Sequence, residues 1–366
     1  MRRIASRRRP SEPESHLVLT GIPDLQLDAA VRRRLERLQP GGIVLFRRNV
    51  GPPDELAALI RGLRGVLGPK CLIAIDQEGG RVARLGAPFT EWPPMRRLGE
   101  TRNAGLARAA GRAIGRELSS VGINCDFAPV LDVDSNPENP VIGDRSFGRD
   151  PALVARLGCA FSRGLAEAGL IPCGKHFPGH GDTALDSHLA LPRVDRSRRE
   201  LMRCEIAPFR RAVRSGVPML MSAHVLYPAL DAELPATLSR AIMTELLRGQ
   251  LGFRGVLVSD DLAMQALAGH GTVGELAVSA LAAGCDLLLA CQSLEAGEEA
   301  VAALKSALRR GRLDPARARE ALARVRRLRR SIRTRRTKTA LALPDPEAVR
   351  ARRHLEQALE RSRRRA

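Results

Sequence analysis

The chain has 366 residues, 44% of them hydrophobic, with 60 Lys and Arg against 40 Asp and Glu. That length suffices for a full α/β core, and no apolar run reaches the roughly 18 residues of a membrane span. The net charge of +20 sits at the ends: residues 301–366 hold 22 basic against 6 acidic side chains, and residues 1–14 hold five against two. A nearly neutral body with basic ends is not the profile of a nucleic-acid enzyme, although such ends attract polyanions at low salt.

Residues 1–14 are polar and start with positive charge but lack the apolar stretch of a secretory signal. The seven cysteines are scattered, with no C-x-x-C pair. Free thiols of that kind point to a reducing, cytoplasmic compartment. Short apolar runs then alternate with helical patterns: His16–Thr20, Gly42–Phe46, Leu72–Asp76, Cys125–Pro129, Ile171–His176, Met219–His224, Gly255–Asp260 and Asp286–Ala290. Between them, Leu106, Ala110, Ile114, Leu118 and Val121 repeat at helical spacing, and Ser239 is placed to cap a helix reaching Leu251. Eight strands alternating with helices predict an α/β fold, a (β/α)₈ TIM barrel forming a single domain over residues 15–334. The competing doubly wound sheet would carry a Gly-rich phosphate loop after an early strand, and no Gly-x-Gly-x-x-Gly stands there. An Arg-rich helix, Pro315 to Arg333, closes this region. The basic N-terminus (1–14) and a basic C-terminal tail (335–366) flank the barrel, and the tail is too charged to form a domain of its own.

The polar residues fall where such a barrel does its chemistry, at the C-terminal ends of strands. The third strand ends in Asp76-Gln77-Glu78-Gly79-Gly80-Arg81, and the fourth leads to Asp132 and Arg145. The fifth ends in Lys175-His176, the sixth in Ser222-Ala223-His224 and the seventh in Ser259-Asp260-Asp261. Three of seven histidines, His176, His180 and His188, and one of four lysines fall between Gly174 and His188. Singly, each has a plain reading as a helix cap, a turn or an ion pair. Together, five strand ends around one opening suit glycoside hydrolysis, with Asp260 as candidate nucleophile. His188, oriented by Asp186, is then the candidate acid and base. One Trp, one Tyr and eight Phe leave few stacking platforms, which favours a site gripping one terminal sugar.

Lys175-His176-Phe177-Pro178-Gly179-His180-Gly181-Asp182 followed by Asp186-Ser187-His188 resembles the signature of glycoside hydrolase family 3 β-N-acetylglucosaminidases, the single-domain bacterial cytoplasmic type of peptidoglycan recycling. Similar motifs run in order from about residue 16 to 330, among them Ile75 to Val82, Phe127 to Asp132, Gly143 to Phe147, Pro235 to Ser239 and Val258 to Leu262. The resemblance implies retaining hydrolysis through a glycosyl-enzyme on Asp260, with the His188–Asp186 dyad as acid/base. It also implies that Asp76, Arg84, Arg145, Lys175 and His176 bind the terminal N-acetylglucosamine of a muropeptide. It assigns no role to the basic tail. No cofactor, metal, nucleic-acid partner or membrane span is expected, and the expected state is a monomer. Three other readings remain open at this point. One is a family 3 phosphorylase or a glycosidase for another sugar. Another is a metal-dependent hydrolase using His176, His180 and His188, although His-x₃-His in a Pro/Gly loop is a loose ligand spacing. The last is a non-catalytic barrel that binds polyanions.

Overall fold

In the computed structural model, residues 13–185, 187, 190–332 and 342–363 are described. Eight parallel strands close into a barrel in chain order. They are β1 Val18–Thr20, β2 Gly42–Leu45, β3 Leu72–Ile75, β4 Cys125–Asp126, β5 Ile171–Phe177, β6 Met219–Ser222, β7 Val256–Asp261 and β8 Leu287–Ala290. Each falls on an apolar run read from the sequence. Closure is made by Val18 pairing with Leu288. Side chains alternate as a barrel requires: Ile43, Leu45, Ile73 and Ile75 join the layer of helices, while Val44, Leu72, Ala74 and Cys125 join the other core cluster.

A helix follows every strand: α1 Ala29–Leu38, α2 Pro53–Leu67, α3 Ala104–Val121, α4 Pro151–Glu167, α5 Ala207–Arg214, α6 Ala241–Gln250, α7 Val273–Ala283 and α8 Leu294–Arg309. Their starts are written in the sequence. Asp150 accepts from Ala152 N ahead of Pro151, and Thr272 with Glu275 forms a reciprocal cap on α7. Ser239 Oγ accepts from Ile242 N at 3.1 Å, as its position before the apolar run predicts. The helix it caps is a π-helix, a winding that apolar periodicity does not reveal.

Two further helices, α9 Pro315–Ser331 and α10 Pro346–Arg363, follow the eighth unit. Ala348, Leu355 and Leu359 are buried in the same core cluster as residues of α3. Asp345 pairs with Arg116 at 2.6 Å, and its N–H donates to buried Glu117 at 2.9 Å. Glu117 also accepts from Thr90 N and Thr90 Oγ1, so one carboxylate ties the segment before α10 to the loop after β3. Among the described residues, no helix is long and apolar enough to cross a membrane.

Candidate active site

The sequence turns sharply after β3. Asp76 is followed by a small hairpin, Gln77–Gly79 against Val82–Ala83, whose corner is Gly79 (φ +103°) and Gly80 (φ +59°), values that side-chain-bearing residues rarely adopt. Extended backbone places residues two apart on one face, and Asp76 and Glu78 both reach Lys175 Nζ, at 2.7 and 2.5 Å. Arg145 closes the other side of Glu78 with two parallel hydrogen bonds of 2.8 Å. Arg84 Nη2 lies 3.3 Å from the second oxygen of Asp76.

These groups set one another's charge. Burial opposes ionisation of Glu78, but Arg145 and Lys175 outweigh it and hold the carboxyl well below its usual range. Burial likewise works against the Lys175 ammonium, and the Asp76 and Glu78 carboxylates reverse that, so its pKa ends above the ordinary value. Glu78, Arg145 and Lys175 therefore stay charged, and with Asp76 they form a fixed pattern of donors and acceptors for a hydroxylated ligand.

The loop after β5 is fixed from three sides. Asp132, fully buried after β4, accepts from the backbone N–H of His180 at 2.7 Å and of His176 at 3.1 Å, and from His176 Nδ1 at 2.7 Å. Since a carboxylate only accepts, Nδ1 of His176 carries the hydrogen and Nε2 is left to exchange a proton or bind a ligand. Tyr227 donates to Gly179 O at 2.5 Å, and Arg196 holds Asp182 at 2.6 Å. Gly181 passes so close to Val133 that a Cβ there would lie 1.5 Å from its carbonyl oxygen. His180 is engaged at both ring nitrogens, by Thr183 at 3.0 Å and Ser187 at 3.1 Å, and burial pushes its pKa down to about 4. Asp186 and His188 lie outside the described residues.

Asp260 ends β7 at the same mouth. Burial disfavours its charge, but His224, His176 and the hydrogen bond from Asp261 N bring its pKa below the usual aspartate value. His224 is set by its surroundings: Nε2 donates to the Asp261 carbonyl at 3.0 Å, and Nδ1 meets Thr237 Oγ1 at 2.8 Å. The neighbouring carboxyl behaves oppositely. Asp261 is pushed up to about 6, chiefly by burial, while Ala263 N and Cys291 N hold its Oδ1 at 3.2 Å. An acid whose folded pKa is raised costs stability as pH climbs from its unfolded value through the folded one. Asp261→Asn keeps the acceptor oxygen and removes that cost. Its melting temperature is therefore expected to exceed wild type by a few degrees near pH 7.5 and to equal it near pH 4, as differential scanning calorimetry at both pH values will measure.

The structure thus joins Asp76, Arg84, Arg145 and Lys175 in one network, with His176 and Asp260 beside it. The sequence reading did not single out Glu78 or Asp132 as site residues. Glu78 had a usable signal, a second carboxyl two positions past a strand end on the face of Asp76. Asp132 had its place in a strand-end loop and in the Phe127–Asp132 motif. The single Trp and Tyr, Trp92 and Tyr227, are both buried, so neither is a platform at the surface.

A profile described as the glycosyl hydrolase family 3 N-terminal domain matches residues 16–328. A β-hexosaminidase of Chromobacterium violaceum is 43% identical over 293 residues, 78% of this chain and 82% of the relative. A β-hexosaminidase of Neisseria meningitidis serogroup C is 43% identical over 282 residues, 75% and 78% of the two chains. Among solved structures, a family 3 β-N-acetylglucosaminidase from a Paenibacillus species superposes with a TM-score of 0.91 at 40% identity, covering 96% of this chain and 68% of that one. NagZ from Neisseria gonorrhoeae superposes at 0.76 and 35% identity, covering 94% and 96%. With the barrel matched almost end to end and the strand-end acids and bases in place, the chain belongs to glycosyl hydrolase family 3 and is a β-N-acetylhexosaminidase.

Proposed function

We propose that the enzyme removes single terminal non-reducing N-acetylglucosamine residues, with retention, from cell-wall-derived muropeptides in the cytoplasm. The observation that carries this reading is Asp260: a carboxylate at a strand end, kept ionised by two histidines, beside a wall of fixed charges. Its oxygen attacks the anomeric carbon and forms the glycosyl-enzyme bond as the glycosidic C–O bond breaks. The leaving oxygen takes its proton from His188, whose imidazolium Asp186 stabilises. Water then gives its proton to His188 and releases the sugar from Asp260. Asp76, Arg84, Arg145, Lys175 and His176 hold the sugar hydroxyls and N-acetyl group. Buried wall groups and the absence of a surface Trp or Tyr favour one gripped sugar over a long chain. The free cysteines, five of seven buried, agree with a reducing compartment.

The test is hydrolysis of an aryl β-N-acetylglucosaminide beside the matching β-glucoside, each with and without inorganic phosphate. The expected result is a preference of at least ~100-fold for the N-acetyl substrate, well within the roughly 10⁴–10⁵-fold by which a site built to hydrogen-bond a group rejects an analogue lacking it. The free sugar is expected as product in both media. A sugar 1-phosphate product would identify a phosphorylase instead, and equal rates on both sugars would remove the N-acetyl assignment.

A further inference from the structure

At the N-terminal ends of β7 and β8, the end of the barrel away from Asp260, α6 and α9 border a cleft of about 770 Å³. Its floor is a network that does not balance. Asp286, fully buried, is shared by three guanidiniums: Arg248 Nη2 at 2.6 Å on one oxygen, and Arg317 Nη2 at 2.6 Å with Arg324 Nη1 at 3.1 Å on the other. Glu320 pairs with the same Arg317 and Arg324. Three buried or nearly buried cations thus face two anions. Arg248 is 7% exposed, its Nη groups donate to Asp286 and to the Gly255 and Gly284 carbonyls, and its Nε is buried with no hydrogen-bond partner among the described residues. Burial, followed by the neighbouring Arg324 and Arg317 charges, also works against its cation.

The rim adds charge of the same sign. Arg254 and Arg312 line the cleft, are exposed, and form no ion pair among the described residues. The remaining acids are committed elsewhere. Asp314 caps α9 through Ala316 N, and Glu245 lies 3.6 Å from Arg240 at the surface. Guanidiniums converging on one opening match the oxygens of a phosphoryl group, whose negative charge offsets the surplus that Asp286 and Glu320 leave. The volume is that of a small-molecule site.

We propose that this cleft binds a phosphate-bearing small molecule, with Arg248 beneath the phosphoryl group and Arg254 and Arg312 closing over it. The site is distinct from the catalytic mouth and its ligand takes no part in hydrolysis. Asp286 also accepts from Leu257 N at 3.0 Å, so an anion here bears on the strand that carries Asp260.

The test uses the full chain and thermal unfolding at constant ionic strength, titrated with inorganic phosphate, a sugar 6-phosphate or a nucleoside monophosphate, with chloride as control. Phosphate and the monoesters are expected to raise Tm saturably where chloride does not. The monoester that saturates lowest identifies the group the phosphate is carried on. The double variant Arg254→Ser, Arg312→Ser leaves the Asp286 network intact and is expected to keep hydrolysis unchanged. Its half-saturating phosphate concentration should rise at least about tenfold, the loss of one or two charge-assisted contacts. Equal phosphate response in wild type and variant would overturn the proposal. So would a wild-type shift no larger than that with chloride, or a response to a polyanion such as heparin alone.

Discussion

Asp260→Ala is expected to lose turnover of any β-N-acetylglucosaminide by roughly 10⁴-fold or more while unfolding within a few degrees of wild type. The two halves of this expectation have separate causes. Turnover is expected to fail because, among the described residues, the neighbouring carboxylates are already engaged: Asp261 with two backbone N–H groups, and Asp76 with Lys175 and Arg84. Stability falls little because, among the described residues, the Asp260 side chain accepts one local hydrogen bond, from Asp261 N, and the charge stabilisation that alanine gives up is largely offset by the burial cost it no longer carries. Steady-state rates on an aryl N-acetylglucosaminide, with calorimetry on the same preparation, check both. Retention of more than a few per cent of activity would reduce Asp260 to a helix-entry residue. A large fall in Tm would leave the rate loss uninterpretable, and Asp260→Asn would then replace it.

His188→Ala is expected to divide substrates by their leaving groups. A dinitrophenolate departs with little protonic help, whereas a sugar or alkyl oxygen needs an acid in the transition state. The variant should therefore lose rate by roughly 10²–10⁴-fold on the poor leaving group, the usual worth of general acid catalysis, and far less in glycosylation by the activated one. Asp186→Asn should show the same selectivity more mildly, since the role proposed for Asp186 is to orient and stabilise the imidazole rather than to act on the substrate. Rates on a matched pair of aryl and alkyl glycosides decide. Equal small losses on both would make His188 an ordinary loop histidine.

The barrel was legible in the sequence because each strand is short, apolar and followed by a helix that starts with a capping side chain or a proline, so length, period and punctuation agreed. The strand-end rule likewise brings Asp76, Lys175, His176 and Asp260 to one mouth. Other features had weaker signals. The winding of α6 depends on hydrogen bonds rather than on which residues are apolar. Glu78 sat inside a recognised run, yet its bonds to Lys175 and Arg145 span 97 and 67 positions of sequence, and no local pattern reports such pairing. In α10, Ala348, Ala351, Leu355 and Leu359 recur at helical spacing beneath an arginine-dominated composition, and the stripe packs on the barrel. The cleft over Asp286 escaped for the opposite reason: its arginines look like the compositional bias of the whole chain, and only their convergence sets them apart.

The proposed covalent intermediate on Asp260 is tested most directly by intact-mass spectrometry of His188→Ala mixed with a dinitrophenyl β-N-acetylglucosaminide. Without a base to activate water, the second step slows more than the first. The variant is expected to gain the mass of one N-acetylglucosaminyl group, located on Asp260 by peptide mapping and absent from the His188→Ala, Asp260→Ala double variant. An unmodified His188→Ala enzyme that still turns the substrate over, or an adduct that persists when Asp260 is removed, would contradict the account.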